Sequence, residues 1–170
     1  MPRSFRETLD YLADMPRAAW VLLAAALIEL GFAFVMQYGF GYEPCILCLW
    51  QRVPYAAVIA LALLASLPPL YPYARELLGL CGLIFLIGVG LAVFHTGVER
   101  HWWLGTSDCA VTPLDSSSVE DLRTKLLQMT VVRCDQISWK FLGLSMANWN
   151  IPDQMLLDGF SLYASKRADE

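Results

Sequence analysis

The feature that most constrains this chain is a long stretch almost without charge. From Ala18 to Ser66 the only charged residues are Glu29, Glu43 and Arg52. A bilayer core of about 30 Å needs about 20 mostly apolar residues per helix. Three such runs are present, at Ala18 to Tyr38, Leu49 to Leu67 and Leu77 to Val98. Pro68, Pro69 and Pro72 punctuate the link between the last two, where helix cannot easily continue. Composition agrees: with 57% hydrophobic and 16% charged residues in 170, the chain has more apolar surface than a soluble domain of this size can hide. A net charge of −4 leaves no basic footprint for nucleic acid, so no nucleic-acid partner is expected. The fold class is all-α, one membrane domain whose solvent is largely lipid.

Arg3, Arg6 and Arg17 precede the first run, as they would in a secretory signal. The run is longer than the usual 7 to 15 apolar residues of a signal and more spans follow it, so it reads as an uncleaved anchor. Short loops rich in Lys and Arg stay cytoplasmic. The head, the Pro-rich link with Arg75 and the tail with Lys166 and Arg167 are therefore expected on the cytoplasmic side. The loop from Gly39 to Cys48 and the segment from Glu99 to Trp149 then face outward. That segment also holds Arg100, Arg123, Lys125, Arg133 and Lys140, but its length makes it a weak determinant of orientation.

Four of the five cysteines fall on the outer side of this map: Cys45 and Cys48 in the first loop, Cys109 and Cys134 in the second. Thiols paired in an oxidising compartment such as a bacterial periplasm are expected as disulfides. Two pairs on one face suggest a route for electrons. Cys45-Ile46-Leu47-Cys48 has the C-x-x-C spacing of a small, often redox-active ring. Alone it is a weak signal, shared with zinc knuckles and structural disulfides. Leu49 in place of His after Cys48 excludes c-type haem attachment. A four-thiolate zinc site stays open, although zinc ribbons usually bring two C-x-x-C knuckles and the second pair here is far apart; no resident metal is expected.

Arg52 lies four residues after Cys48, on the same helical face. A guanidinium there favours the thiolate and can hold a negatively charged reduced acceptor, whereas an isolated Arg at a span end would simply snorkel to the headgroups. His95, near the end of the third run, has the bland reading of an interfacial hydrogen bonder, yet ionisable groups in spans are costly and therefore functional candidates. Glu29 reads as a helix-packing hydrogen bonder and Cys81, at mid-span, as a small buried apolar residue.

The run Cys45-Ile46-Leu47-Cys48-Leu49-Trp50-Gln51-Arg52, the triplet Phe94-His95-Thr96, and Cys134 followed by Trp139-Lys140-Phe141-Leu142-Gly143-Leu144 resemble the DsbB family of bacterial disulfide-bond-formation proteins, in order and spacing, from about Trp20 to Trp149. The resemblance implies a four-helix transmembrane bundle with a long periplasmic loop, in the inner membrane. It implies an enzyme that reoxidises a periplasmic thioredoxin-like dithiol oxidase, DsbA, and passes two electrons to ubiquinone or menaquinone. Carried onto this chain, Cys109 and Cys134 would form the disulfide that meets the partner, with Cys109 entering the mixed disulfide. Cys45 and Cys48 would exchange with them, Cys48 lying nearest the quinone. Arg52 would contact the quinone and His95 would lie close to it.

Between Cys109 and Cys134, Ser118 with Asp121 and the spacing of Val119, Leu122 and Leu126 suggest a short amphipathic helix. Trp102, Trp103 and Trp149 read as interface anchors. The tail departs from the family. Where a fourth apolar span belongs, residues 150–164 contain Asp153 and Asp158 and reach only about 21 Å as a helix of about 14 residues, with Pro152 expected at its start. Three outcomes follow for it: a short, polar fourth helix held by its neighbours, an interfacial segment, or a truncated and inactive relative. A non-catalytic scaffold with structural disulfides is the competing functional class.

Overall fold

The computed structural model describes residues 4–106, 109 and 132–168. Helix α1 (Phe5–Ala13) opens with a reciprocal cap in which the Glu7 amide donates to Ser4 Oγ and the Ser4 amide to the Glu7 carboxylate. Helix α2 (Arg17–Phe34) runs into a wider turn at Val35–Gly39. Short α3 (Ile46–Trp50) is followed almost without break by α4 (Arg52–Ala65). The Pro-rich link is a tight 3-10 turn at Pro68–Tyr73, leading into the long α5 (Ala74–Glu99). A hairpin pairs β1 (Lys140–Phe141) with β2 (Leu144–Ser145), antiparallel, through Leu142 and Gly143, both at positive φ. Those signs are what a two-residue turn matching strand twist requires. The hairpin feeds directly into α6 (Met146–Arg167).

Among the described residues three helical stretches are long and apolar enough to cross a membrane: Arg17–Gly39, Ile46–Ala65 and Pro68–Glu99. Their inward faces supply one core, with Leu22, Ala26, Val58, Ala62, Leu78, Cys81 and Phe85 buried. Outward faces carry exposed Leu27, Ile28, Leu63, Leu83, Leu86 and Ile87, the composition expected of helices whose solvent is lipid. Cys81 is fully buried in this core. The surface helix expected around Val119 to Leu126 lies outside the described residues.

The polar tail forms the fourth helix of the bundle, and its start differs from expectation. Pro152 does not begin the helix; it lies inside one of 22 residues that starts at Met146, capped by Ser145 Oγ accepting from the Asn148 amide. At 1.5 Å per residue this helix is about 33 Å long, enough to run from one end of the bundle to the other. At the cysteine end, Asn150 Nδ2 donates to Gln51 Oε1 at 2.9 Å. At the opposite end, Arg167 pairs with Asp14 at 2.9 Å and Asp10 at 3.5 Å, while Ser165 Oγ donates to the Arg75 carbonyl at 2.8 Å. A proline inside a helix forfeits one backbone bond, which packing against neighbouring helices offsets.

Polar residues of α6 turn toward α5 and α4. Gln154 and Ser161 are fully buried, Ser161 Oγ donates to the Leu78 carbonyl at 2.6 Å, and Asp153 accepts from Tyr55 Oη at 2.8 Å. Met155, Leu156 and Leu162 face outward instead. The approach of α5 and α6 is close because Gly88 has no side chain: a Cβ there would meet Gln154 Oε1 at 1.6 Å. Gly88→Val is expected to lower stability by about 1 to 3 kcal/mol through overpacking. Part of that loss should return when Gln154→Ala is added, as read by thermal unfolding in detergent; an unshifted Gly88→Val transition would contradict this packing.

Candidate functional site

The candidate cysteines and His95 gather where α3, the end of α5 and the segment entering the hairpin meet. Cys45 caps α3, its Sγ accepting from the Cys48 amide at 3.3 Å, so the C-x-x-C spacing becomes a helix start with one sulfur at the positive end of the helix. The two sulfurs are 3.0 Å apart as thiols in hydrogen-bond contact. Behind them, His95 Nε2 reaches Cys45 Sγ at 3.5 Å. One helical turn further along α5, Glu99 Oε1 stands 3.8 Å from the same nitrogen. Asn148 Nδ2 donates to the Glu99 carboxylate at 3.3 Å, and Ser145 Oγ donates to it as well, which ties this corner to the start of α6.

Cys109 and Cys134 are joined as a disulfide with their Cα atoms 5.2 Å apart. Cys134 is buried with Cys45, Leu47 and Val98 in one apolar cluster, and Cys48, Phe94, Cys109 and Val132 pack against it. Two cysteine pairs far apart in sequence are thus brought to one place. Their pairing also removes Cys109 and Cys134 from the four-thiolate zinc arrangement left open above. Gly105 leaves room for Cys109 beside Val98, since a Cβ there would meet Cys109 Cβ at 2.8 Å. Trp103 folds back over the last turn of α5, stacked on Phe94 and donating from Nε1 to the Phe94 carbonyl at 2.9 Å.

On the other side of Cys48 lies a cavity of about 480 Å³ between α2, α4, α6 and the hairpin. Cys48 and Arg52 both line it, with Phe32, Met36, Trp139 and Phe141 supplying apolar and aromatic walls. Arg52 is aimed by Gln37, which accepts from its guanidinium at 2.6 Å, and by the Phe34 ring, 5.2 Å from its Cζ. A mostly apolar cleft of this size with few convergent polar groups is the usual form of a small-molecule site. Its aromatic walls, its cation and the adjacent sulfur fit a flat, apolar, reducible ring.

Two placements could not be given by local spacing. His95 sits against Cys45, where its position on α5 turns it to the sulfur pair, and it is not among the residues that line the cavity. Glu29, read as a helix-packing residue, lines the cavity together with Asp153 and Tyr55. Glu99 was not singled out by the sequence. Its signal was the spacing of four residues from His95, which puts both on one helical face.

These contacts define the behaviour of Cys45. The hydrogen bond from the Cys48 side chain has the largest influence, burial opposes it, and the hydrogen bond and charge of His95 reinforce it. The Cys45 thiol is lowered to about 4, against an ordinary value of 9.0. These contacts favour the thiolate at Cys45 in the reduced protein well below the ordinary thiol range.

The chain as a whole is similar to known proteins. The family model for disulfide bond formation protein DsbB matches residues 16–163. The chain belongs to the DsbB family. Disulfide bond formation protein B of Histophilus somni is 30% identical over 143 residues, covering 81% of this chain and 79% of that protein. The protein of the same name from Xylella fastidiosa (strain Temecula1) is 37% identical over 131 residues, covering 72% and 73%. That from Xanthomonas euvesicatoria is 33% identical over 145 residues, covering 82% and 83%. No solved structure matches the chain. A DsbB-like helical membrane bundle, with disulfide formation as its chemistry, is what sequence, fold and relatives jointly support.

For the reduced DsbB-family site, thiolate absorbance followed against pH in detergent should show a transition near pH 4 from Cys45. His95→Ala should move that midpoint upward, because two of the influences holding it down come from the imidazole. A midpoint at the ordinary thiol value in the unaltered protein would refute the electrostatic account.

Proposed function

We propose that this DsbB-family protein is an inner-membrane oxidase that reoxidises a DsbA-like periplasmic dithiol protein and delivers the electrons to a membrane quinone, ubiquinone or menaquinone. One observation carries the reading: Cys45 and Cys134 are buried in a single cluster, while Cys48 faces a lipid-level cavity that it shares with Arg52. Lys and Arg in the head, the Pro-rich link and the tail favour a cytoplasmic side opposite the cysteines, which puts the cysteine loops in the periplasm.

The exchange is balanced in thiols and disulfides. A partner thiolate attacks Cys109, the Cys109–Cys134 bond breaks, and Cys134 leaves as a thiolate. The partner's second thiol then displaces Cys109, so the partner leaves oxidised and Cys109 and Cys134 are both reduced. These two repeat the exchange against a Cys45–Cys48 disulfide, restoring their own bond and leaving Cys45 and Cys48 as the dithiol. Contact in one cluster supplies the short approach that such attack needs. A bound quinone supplies a two-electron oxidant for that dithiol. DsbA-type proteins are strong oxidants, near about −120 mV, so the final acceptor provides the driving force.

Arg52 binds the acceptor end of this chain. Its guanidinium is fixed by Gln37 and lies in the cavity wall, so it can donate to a quinone oxygen and balance negative charge there. His95 serves the sulfur side, where it helps to hold Cys45 as a thiolate once the pair is reduced, and Glu99 faces the imidazole from the next helical turn. Trp139, stacked on Phe141 with ring centroids 6.0 Å apart, forms an aromatic wall of the cavity.

Reconstitution with a reduced DsbA-like protein and a quinone, following quinone absorbance, tests the proposal. Cys109→Ser should abolish turnover. Arg52→Ala should raise the quinone concentration needed for half-maximal rate by roughly ten- to a hundredfold, the scale of a hydrogen bond to a charged group at about 1.5 to 3 kcal/mol. Full activity in both variants, or a protein whose four outer cysteines cannot be reduced by any thioredoxin-like dithiol, would leave the structural scaffold as the better description.

A further inference from the structure

The side chains that surround the reduced C-x-x-C pair are also ligand types for a soft cation. Cys45 Sγ, Cys48 Sγ and His95 Nε2 all lie within 4.8 Å of one another. Zinc bonds of about 2.3 Å to sulfur and about 2.0 to 2.1 Å to nitrogen imply tetrahedral edges of about 3.8 Å between sulfurs and about 3.5 Å from sulfur to nitrogen. The Cys45 to His95 edge is already 3.5 Å. The sulfurs, at 3.0 Å, need to open by roughly 0.8 Å, a side-chain rotation within the spacing that zinc knuckles use. A fourth donor is at hand, since Glu99 Oε1 lies 3.8 Å from His95 Nε2 with its side chain 6% exposed, and His95 itself is 3% exposed. Two sulfurs and one imidazole therefore converge, with one carboxylate beside the imidazole and Cys48 at the edge of the cavity.

We propose that Cys45, Cys48, His95 and Glu99 form a binding site for a thiophilic divalent cation of the zinc class, present in the reduced protein and abolished when the Cys45–Cys48 disulfide forms. Coordination replaces any proton remaining on the two sulfurs and leaves the site with three ligand negative charges against two on the cation. No electrons move. With both sulfurs coordinated, Cys48 has no free thiolate to give up electrons and Cys45 cannot take part in exchange. The cation therefore arrests the protein in its dithiol state. Oxidation removes both sulfur donors together, and one imidazole with one carboxylate is too few ligands to retain the metal. The site is distinct in membership from a four-thiolate zinc site, because Cys109 and Cys134 take no part. The inhibitory consequence rests on the oxidase reading above, whereas the binding itself does not.

Cobalt(II) serves as the probe, since its tetrahedral thiolate complexes absorb in the visible where zinc is silent. Full-length protein in detergent, reduced under anaerobic conditions and freed of reductant, is titrated with cobalt and then with zinc. One equivalent of cobalt should give a tetrahedral thiolate spectrum that zinc displaces. The spectrum should persist in the Cys109→Ser, Cys134→Ser double variant and in Cys81→Ala. It should vanish in Cys48→Ser and in protein carrying the Cys45–Cys48 disulfide. His95→Ala, and separately the milder His95→Asn, should weaken cobalt binding at least tenfold, and Glu99→Gln should change the spectrum as one ligand is exchanged for water. Unchanged affinity in both His95 variants, a spectrum retained by the oxidised protein, or its loss in the Cys109→Ser, Cys134→Ser variant would overturn the proposal. Cobalt binding intact in a protein with no quinone turnover would count against the oxidase and not against the metal site; turnover without cobalt binding would do the reverse.

Discussion

The arrangement depends on one constraint: polar side chains within a lipid-embedded bundle must find their partners inside the protein. Helix α6 is where this bites hardest, with Asn150, Asp153, Gln154, Asp158 and Ser161 on a single helix. Their spacing puts them on the side facing α5 and α4, where Gln51, Tyr55 and the Leu78 carbonyl meet Asn150, Asp153 and Ser161. Gly82 and Gly88 on α5 leave room for Asp158 and Gln154, whose buried Oδ1 and amide atoms are the exceptions, without a hydrogen-bond partner among the described residues. Small residues on one helix and polar residues on the other are a known way to bring membrane helices together without a hydrophobic driving force. A tail too polar to persist alone in lipid becomes a full-length member of the bundle because α5 covers it.

The same helix carries this order to the cysteine end. Ser145 and Asn148 at the start of α6 hold Glu99, Glu99 faces His95, and His95 faces Cys45. Arg100 donates to Asn148 Oδ1 at 3.2 Å, a further tie between α5 and α6. The imidazole beside the first sulfur is therefore tied to a helix that contributes no cysteine. The two sulfurs of the C-x-x-C pair look in different directions as a result. Cys45 is turned into a buried polar corner with the second cysteine pair beside it, and Cys48 borders an apolar cavity with a fixed cation. One side suits exchange between sulfurs and the other suits a ring dissolved in lipid.

Much of this was legible beforehand, for reasons tied to particular residues. Three apolar runs can be recognised because hydrophobic length is a property of composition along the chain, independent of neighbours. The resemblance carried by residues 45–52, by Phe94-His95-Thr96 and by the residues after Cys134 pointed to the family that the comparisons show. The Phe141-Leu142-Gly143-Leu144 motif proves to be a tight hairpin, which holds Trp139 and Phe141 against the cavity. Less legible were the side chains whose role depends on which helix they meet. Pro152 was expected at a helix start, yet a Ser145 cap seven residues earlier already begins the helix. His95 was expected at the quinone, and Glu29 and Glu99 had no partner that the sequence could name.

The sequence by itself determined that this chain is a membrane protein of the DsbB type with three long apolar runs, and that two of its cysteines stand in a C-x-x-C spacing four residues before Arg52, because hydropathy and short-range spacing are local properties. Only the tertiary structure decided that Cys134 would be buried with Cys45, that His95 would lie against Cys45 while Arg52 lines the cavity, and that a polar tail would complete the bundle. Those outcomes depend on the rotation and depth of each helix against its neighbours. Such quantities follow from packing between residues 50 to 100 positions apart, and no local pattern encodes them.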